Sequence, residues 1–198
     1  MKRTAQEAAE TRAAVLSAGL KVFAERGYDR ATLAEIGTRA GVTRGAVYHH
    51  FSDKAQLYTT AIAERWATVG ARVWSGLAGP GPARERLRAC LVEYFRAMEE
   101  DGDFRELLDV TILRSDVSIE PGAGLADKQQ GIREWVAQIS ALLADEDLRS
   151  GTSADDAAVL VVSTLAGVMV TWRMGDDLFS PAGKAAVFTD AILAALFD

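Results

Sequence analysis

The chain has 198 residues, a net charge of −6, 49% hydrophobic residues and a mean hydropathy of +0.03, which is typical of a globular protein with a substantial apolar core. Its longest apolar stretch, 157–170, is interrupted by polar residues and glycine, so we expect no membrane span. The polar N-terminus lacks the features of a secretory signal. A single cysteine, Cys90, excludes an internal disulfide framework and favours a reducing, cytoplasmic location.

The charge is unevenly distributed along the chain. The first 55 residues contain nine basic and six acidic residues, a net charge of +3, which leaves −9 for the remainder. A mildly basic head on an acidic body is expected when only the head contacts phosphates. A charge of +3 is too small to decide this alone.

Helical periodicity dominates, and no sustained alternation of apolar and polar residues indicates a strand. Capping boxes at Thr4 to Glu7 and at Thr32 to Glu35 open the first two helices, and Gly27 is expected to end the first. The predicted helices cover about 5–26, 33–40, 44–50, 54–77, 82–100, 104–117, 125–143, 154–174 and 181–196.

These elements predict an all-α fold of about nine helices. Three short helical pieces give way to long ones near residue 52. We therefore predict a helix-turn-helix DNA-binding domain at 1–52 and a helical domain for effector binding and dimerisation at 53–198.

The segment 33–51 has the arrangement of a helix-turn-helix, with a tight turn at Gly41. The second helix carries hydrogen-bonding side chains on one face, and Gly45 allows its backbone to approach DNA closely. We expect Arg44 to bind guanine O6 and N7, and Thr43 to contact a base or a phosphate.

Three further residues are expected at the DNA backbone. Tyr48 is placed to donate to a phosphate, and Thr32 offers its hydroxyl at a helix N-terminus. Lys54, in the first turn of the next helix, is expected near the other groove wall. The flexible tail with Lys2 and Arg3 is expected to reach along the backbone or into the minor groove.

The block 11–58 contains FAERGY at 23–28, TLAEIGTRAGV at 32–42 and YHHFSDK at 48–54. It strongly resembles the DNA-binding domain of TetR/AcrR-family repressors, and within that family its sequence is most similar to that of the multidrug-efflux regulators. The resemblance implies that the DNA contacts are Thr32, Thr43, Arg44, Gly45, Tyr48, His49, His50 and Lys54.

The resemblance also implies the organisation of the rest of the chain. It implies nine or ten helices, with the last two pairing with their mates in a four-helix homodimer interface. Helices four to eight would enclose an effector pocket, and a bound ligand would move helix four to change the spacing of two recognition helices. The last two predicted helices are nearly all apolar, which favours such an interface.

Aromatic and Met side chains of the middle helices are candidates for the pocket wall, although simple core packing explains most of them equally well. We expect Asp109 and Arg114 to be surface residues, and Cys90 to be a buried, inert thiol. The predicted ligand-binding residues are Trp66, Phe95, Trp135, Met169 and Trp172.

The sequence predicts a repressor released from a pseudo-palindromic operator by a small apolar or amphipathic effector. An activator, or a DNA-binding regulator without an effector, stays open as an alternative. An enzyme is disfavoured because no nucleophile elbow, phosphate-binding loop or acid/base pair is evident. We expect no cofactor and no metal, since adjacent His49 and His50 point about 100° apart on a helix without other ligands.

Overall fold

A computed structural model of the protein describes residues 5–114, 122–175 and 178–198. Within these ranges the chain forms helices and no β-strand, so the all-α prediction is confirmed. Two of the helices continue through a π turn along their length. The nine helices of the described ranges are α1 (Ala5–Arg30), α2 (Leu33–Arg39), α3 (Arg44–His50), α4 (Lys54–Arg65, continued by Trp66–Gly70, Ala71–Trp74 and Ser75–Ala78), α5 (Ala83–Glu100), α6 (Gly102–Leu108, continued by Asp109–Leu113), α7 (Gly122–Leu143), α8 (Ala154–Met174) and α9 (Pro181–Leu196).

Local capping explains where many of these helices begin. At six N-termini a side-chain oxygen accepts a hydrogen bond from the backbone N–H three residues later, which satisfies a group that the helix leaves unpaired. These capping residues are Thr32, Thr43, Asp53, Asp101, Ser153 and Ser180.

The first helix is broken where the sequence predicts its end. Gly27 has the expected positive φ of 76° and a non-helical ψ of 168°, and a short further helical turn follows this kink to Arg30. The predicted cap Thr4, and Lys2 and Arg3 of the tail, lie outside the described residues.

Two hydrophobic cores organise the molecule. The head core joins α1, α2, α3 and the first half of α4, and includes the fully buried Phe23, Ile36 and Val47. Leu107 and Val110 of α6 also belong to it. The body core joins α4 to α9. Packing therefore does not follow the predicted boundary at residue 52, because α4 and α6 each contribute to both cores.

Helices α8 and α9 leave apolar surface uncovered. Val159 and Leu160 of α8 are 51% and 46% exposed, and Val187 of α9 is 60% exposed. By length and composition alone α8 could cross a membrane, with a mean hydropathy of 1.7 over 18 residues, a test that core helices of soluble proteins also pass. Only 28% of that window is buried within this chain. The sequence did not predict this span, because polar residues and glycine interrupt the apolar stretch of this helix.

Candidate nucleic-acid interface

Small residues bring α2 and α3 close together. A Cβ added to Gly37 would lie 3.2 Å from the Val42 carbonyl oxygen and 3.2 Å from Val47 Cγ2. Gly41 has φ +69°, a conformation that glycine adopts without strain, and it turns the chain between the helices. Val47 and Phe51 are buried and anchor α3 to the head core. The opposite face of α3 is thereby directed outward.

The outward face of α3 collects most of the predicted DNA-contact residues. Tyr48 is 45% exposed, although a tyrosine ring is usually partly buried. Gly45 has only the Thr43 hydroxyl oxygen, at 3.8 Å, near the position of an added Cβ, so its backbone is accessible. The exposed residues of this face are Thr43, Arg44, Gly45, Tyr48 and His49.

Arg44 and Tyr48 form a single unit one helical turn apart. Arg44 Nη2 donates to Tyr48 Oη at 3.1 Å, and the guanidinium carbon lies 5.3 Å from the ring centroid. This hydrogen bond raises the pKa of Arg44 above its ordinary value. The cation is thus oriented by a neutral hydroxyl on the exposed face.

Two other arginines of the head, Arg39 and Arg26, are paired with carboxylates. Arg39 Nη1 lies 2.5 Å from Glu25 Oε1, and Arg26 Nε lies 3.4 Å from Glu35 Oε1. Such pairs reduce the positive charge that each arginine presents to a phosphate. The positive charge of Arg44 is not reduced by its hydroxyl partner.

Two threonine hydroxyls lie at helix starts. Thr32 Oγ1 accepts from Glu35 N at 3.1 Å, and Thr43 Oγ1 accepts from Ala46 N at 3.2 Å. Since a hydroxyl has one donor and two acceptor positions, each can still donate to a phosphate oxygen. Both threonines are exposed.

The adjacent histidines differ in exposure. His49 is exposed and His50 is half-buried, with ring centroids 5.2 Å apart and ring planes at 75°. The His50 ring centroid lies 6.4 Å from that of Phe51. His49 therefore faces outward with Tyr48, while His50 lies at the edge of the head core.

Lys54 is engaged with the end of α1. Its Nζ donates to the carbonyl oxygens of Tyr28, Asp29 and Ala31 at 2.8, 3.0 and 3.1 Å. Nζ also lies 4.4 Å from the Tyr28 ring centroid. An ammonium group has three protons, so these carbonyls use all of its donors and tie α4 to α1.

A family model described as "Bacterial regulatory proteins, tetR family" matches residues 15–61, which include this interface. The repressor BepR of Brucella suis is 55% identical over 62 residues, which cover 31% of this chain and 30% of BepR. The chain therefore matches less than a third of the length of this curated relative.

Solved structures match the fold over nearly the whole chain. NalD of Pseudomonas aeruginosa superposes with a TM-score of 0.81 and 22% identity, covering 97% of this chain and 98% of NalD. SmeT of Stenotrophomonas maltophilia, solved with triclosan, gives a TM-score of 0.78 and 29% identity, covering 95% and 92%. Residues 15–61 therefore resemble the DNA-binding domain of the TetR family, and the chain as a whole has the fold of these solved repressors.

The body of the protein contains a cavity of about 660 Å³ between α4, the π turn of α6 and α7. This volume suits a drug-sized ligand. Three indoles line it: the Trp66 and Trp135 centroids are 4.6 Å apart, and those of Trp74 and Trp135 are 5.0 Å apart. Polar lining residues include Thr111, Gln130, Glu134 and Gln138.

The structure separates the predicted ligand-binding residues. Trp66 and Trp135 line the cavity. Phe95 and Met169 do not, because both are completely buried within the body core. Trp172 is half-buried at the end of α8, where the Arg173 guanidinium carbon lies 5.6 Å from its ring centroid, and it does not line this cavity either.

Sequence reasoning missed two features of the body. Trp74 lines the cavity, and its spacing of eight residues from Trp66 on one helix was the available signal. Asp109 was predicted at the surface, but it is 8% exposed and accepts two hydrogen bonds from Arg173, at 2.9 and 3.0 Å. The prediction of a surface position was wrong because Arg173, which binds Asp109, lies on α8 and is distant from it in the sequence. Arg114 is exposed, as expected.

Proposed function

We propose that the protein is a transcriptional repressor that binds operator DNA through α3. The observation that carries this proposal is the exposed Arg44–Tyr48 unit on a helix held outward by Val47 and Phe51. A major groove admits such a helix, and an arginine fork matches guanine O6 and N7. The repressor BepR has a similar domain, and NalD, a repressor of a multidrug efflux pump, has the same fold.

The other predicted residues have distinct roles in this proposal. Thr43 and Tyr48 bind phosphate or a base edge, Thr32 binds phosphate, and His49 and His50 contact the backbone beside Tyr48. Gly45 allows close approach. Lys54 fixes the end of α1 behind this surface, since its donors are engaged there.

We propose that the protein acts as a homodimer joined through α8 and α9. Their exposed apolar side chains supply a surface that a second copy can cover, and an isologous interface presents two heads to one duplex. The operator is then pseudo-palindromic, with one half-site for each head.

We propose further that a small aromatic or amphipathic molecule binds the cavity and releases the operator. Three indoles provide stacking surface, while the amides and Glu134 provide hydrogen-bond partners at the edge. Release requires that the ligand binds the DNA-free arrangement more tightly than the DNA-bound one.

DNA binding is tested by selecting duplexes from a random library with the full chain, followed by gel shifts at two salt concentrations. Arg44→Ala is expected to weaken binding about tenfold and to relax the base preference at one position of each half-site. Arg149→Ala removes an exposed arginine from the α7–α8 loop and is the matched control. Failure of the wild-type chain to enrich any sequence at low salt would refute the proposal.

Effector binding is tested with triclosan, the molecule bound in the SmeT structure. A ligand of the cavity raises Tm and weakens the gel shift. Trp135→Ala is expected to reduce both effects. A reporter gene behind the selected operator separates a repressor from an activator, because a repressor lowers reporter output in the absence of ligand.

A further inference from the structure

A buried lysine lines the cavity of the body. Lys128 of α7 is only 9% exposed, although lysine side chains are almost never fully buried. Its Nζ donates to the Val110 carbonyl oxygen at 3.0 Å and lies 5.5 Å from the centroid of the Tyr58 ring. Both of these contacts are with neutral groups. Among the described residues that line the cavity, Lys128 is the one cation, so it brings a positive charge to the wall.

This ammonium group and the indoles lie at opposite ends of the cavity. Lys128 is beside Tyr58, in the first half of α4. Trp135 follows Lys128 by seven residues on α7, which is about 10 Å along a helix. The Trp135 ring packs against Trp66 and Trp74, which come later on α4. The cavity therefore has a cationic end and an aromatic end.

The wall between these two ends is open and apolar. Gly131 lies between them on α7, and an added Cβ there would meet nothing within 4 Å. Ile62 and Ile112 line the cavity from α4 and α6. Glu134, the one acidic residue among the described lining residues, is exposed and accepts from Gln130 at 2.8 Å. Water and salt screen its charge there, so the buried end of the cavity favours an anion.

We propose that the cavity selects an aromatic carboxylic acid, with its ring among the indoles and its carboxylate at Lys128. Opposite charges attract more strongly in a low-dielectric cavity than in water, and a charge-assisted hydrogen bond is about twice as strong as a neutral one. A ligand with one carboxylate matches the one ammonium group, whereas a cationic ligand is repelled by it. This inference rests on the proposed function and names the chemical class of its effector.

The test compares an aromatic acid with an uncharged molecule of the same shape. The probes are biphenylacetate and its primary amide, biphenylacetamide, titrated into the full chain at pH 7 by isothermal calorimetry. We expect the acid to bind at least about tenfold more tightly than the amide, because only the acid gains a charge-assisted hydrogen bond. Equal Kd values, tighter binding of the amide, or no binding of the acid would overturn the proposal.

Variants of Lys128 locate the carboxylate. Lys128→Met keeps the length of the side chain and removes its charge, so we expect the Kd values of acid and amide to come within about twofold of each other. Lys128→Arg keeps the charge and should retain most of the preference for the acid. Lys184→Met is the matched control, since Lys184 is exposed on α9 and does not line the cavity. An undiminished preference in Lys128→Met would overturn the role of Lys128.

The outcomes separate this inference from the proposed function. Circular dichroism and Tm establish that each compared variant is folded, and the wild-type comparison of acid with amide needs no variant at all. Tight binding of the amide without a gain for the acid would overturn this inference and leave the cavity as a ligand site. A wild-type chain that selects no duplex would refute the proposed function, while the calorimetry, which contains no DNA, would still decide the ligand class.

Discussion

Arg44 Nη2 donates to Tyr48 Oη at 3.1 Å, with the guanidinium lying over the tyrosine ring. A long arginine side chain otherwise loses considerable rotamer entropy when it binds a base edge. Tyr48 orders the Arg44 guanidinium group on the exposed face of α3, so part of this rotamer entropy is already lost before DNA binds.

Tyr48→Phe keeps the ring and removes the hydroxyl. We expect operator affinity to fall about tenfold, since one hydrogen bond to a charged group is lost. A double-mutant cycle with Arg44→Ala identifies the cause: the two losses are expected to be strongly non-additive if Tyr48 acts by orienting Arg44. Full additivity in gel-shift titrations would show that Tyr48 binds DNA independently of Arg44.

The interface was more predictable from sequence than the cavity, for a physical reason. Thr43, Gly41 and the exposed face of α3 follow from local rules of capping, turns and helical spacing. Trp135 and Phe95 have the same apolar character, and only tertiary packing places one at a cavity and the other in the core. The π turn at Trp66–Gly70 likewise follows from none of these local rules.

The pair between Asp109 and Arg173 joins the π turn of α6 to the end of α8. Arg173→Met keeps the length of the side chain and leaves the buried Asp109 carboxylate without its bidentate partner. We expect the free energy of unfolding to fall by about 1–2 kcal/mol, measured by urea denaturation at fixed protein concentration. Arg149→Met, which breaks an exposed pair with Asp198, should change it by less than about 0.5 kcal/mol. Equal effects would contradict a stabilising role for the buried pair.

Cys90 is 1% exposed among body-core residues, and burial, assisted by the charge of Glu93, raises the pKa of its thiol to about 12. Since the thiolate is the reactive form, we expect no alkylation by iodoacetamide in the native protein at pH 8. The denatured chain should take up one equivalent, because it contains one cysteine. Mass spectrometry measures both states, and rapid native labelling would contradict the burial of this thiol.

Glu106 faces a cleft of about 600 Å³ between α1, α5 and α6, and its Oε2 is buried without a hydrogen-bond partner among the described residues. Desolvation raises the pKa of Glu106, Asp103 adds to the rise, and Lys21, Arg65 and Arg105 oppose it. The folded state therefore binds a proton more readily than the unfolded chain. Its contribution to stability decreases as pH rises from 4.5, the ordinary value, through the raised pKa.

Glu106→Gln removes this buried negative charge. We expect a higher Tm than the wild type at pH 7 and a smaller difference at pH 4.5, where the raised pKa leaves the wild-type carboxyl mostly protonated. Glu146→Gln, at an exposed loop position, is the control and should show no such pH-dependent difference. A Tm advantage that grows toward pH 4.5 would contradict the direction of the shift.

The exposed apolar surface of α8 and α9 gives the sharpest test of the proposed dimer. Leu160 lies on the side of α8 opposite its buried residues, and Val187 is the most exposed large apolar residue of α9. Leu160→Asp combined with Val187→Asp would place two charges in a desolvated interface, so we expect a monomer by light scattering. Ile132→Asp is the matched control, since Ile132 is 50% exposed on α7.

A monomer should also bind the selected operator at least about tenfold more weakly, because one head then engages one half-site. A double variant that keeps the wild-type mass would place the interface elsewhere on the molecule.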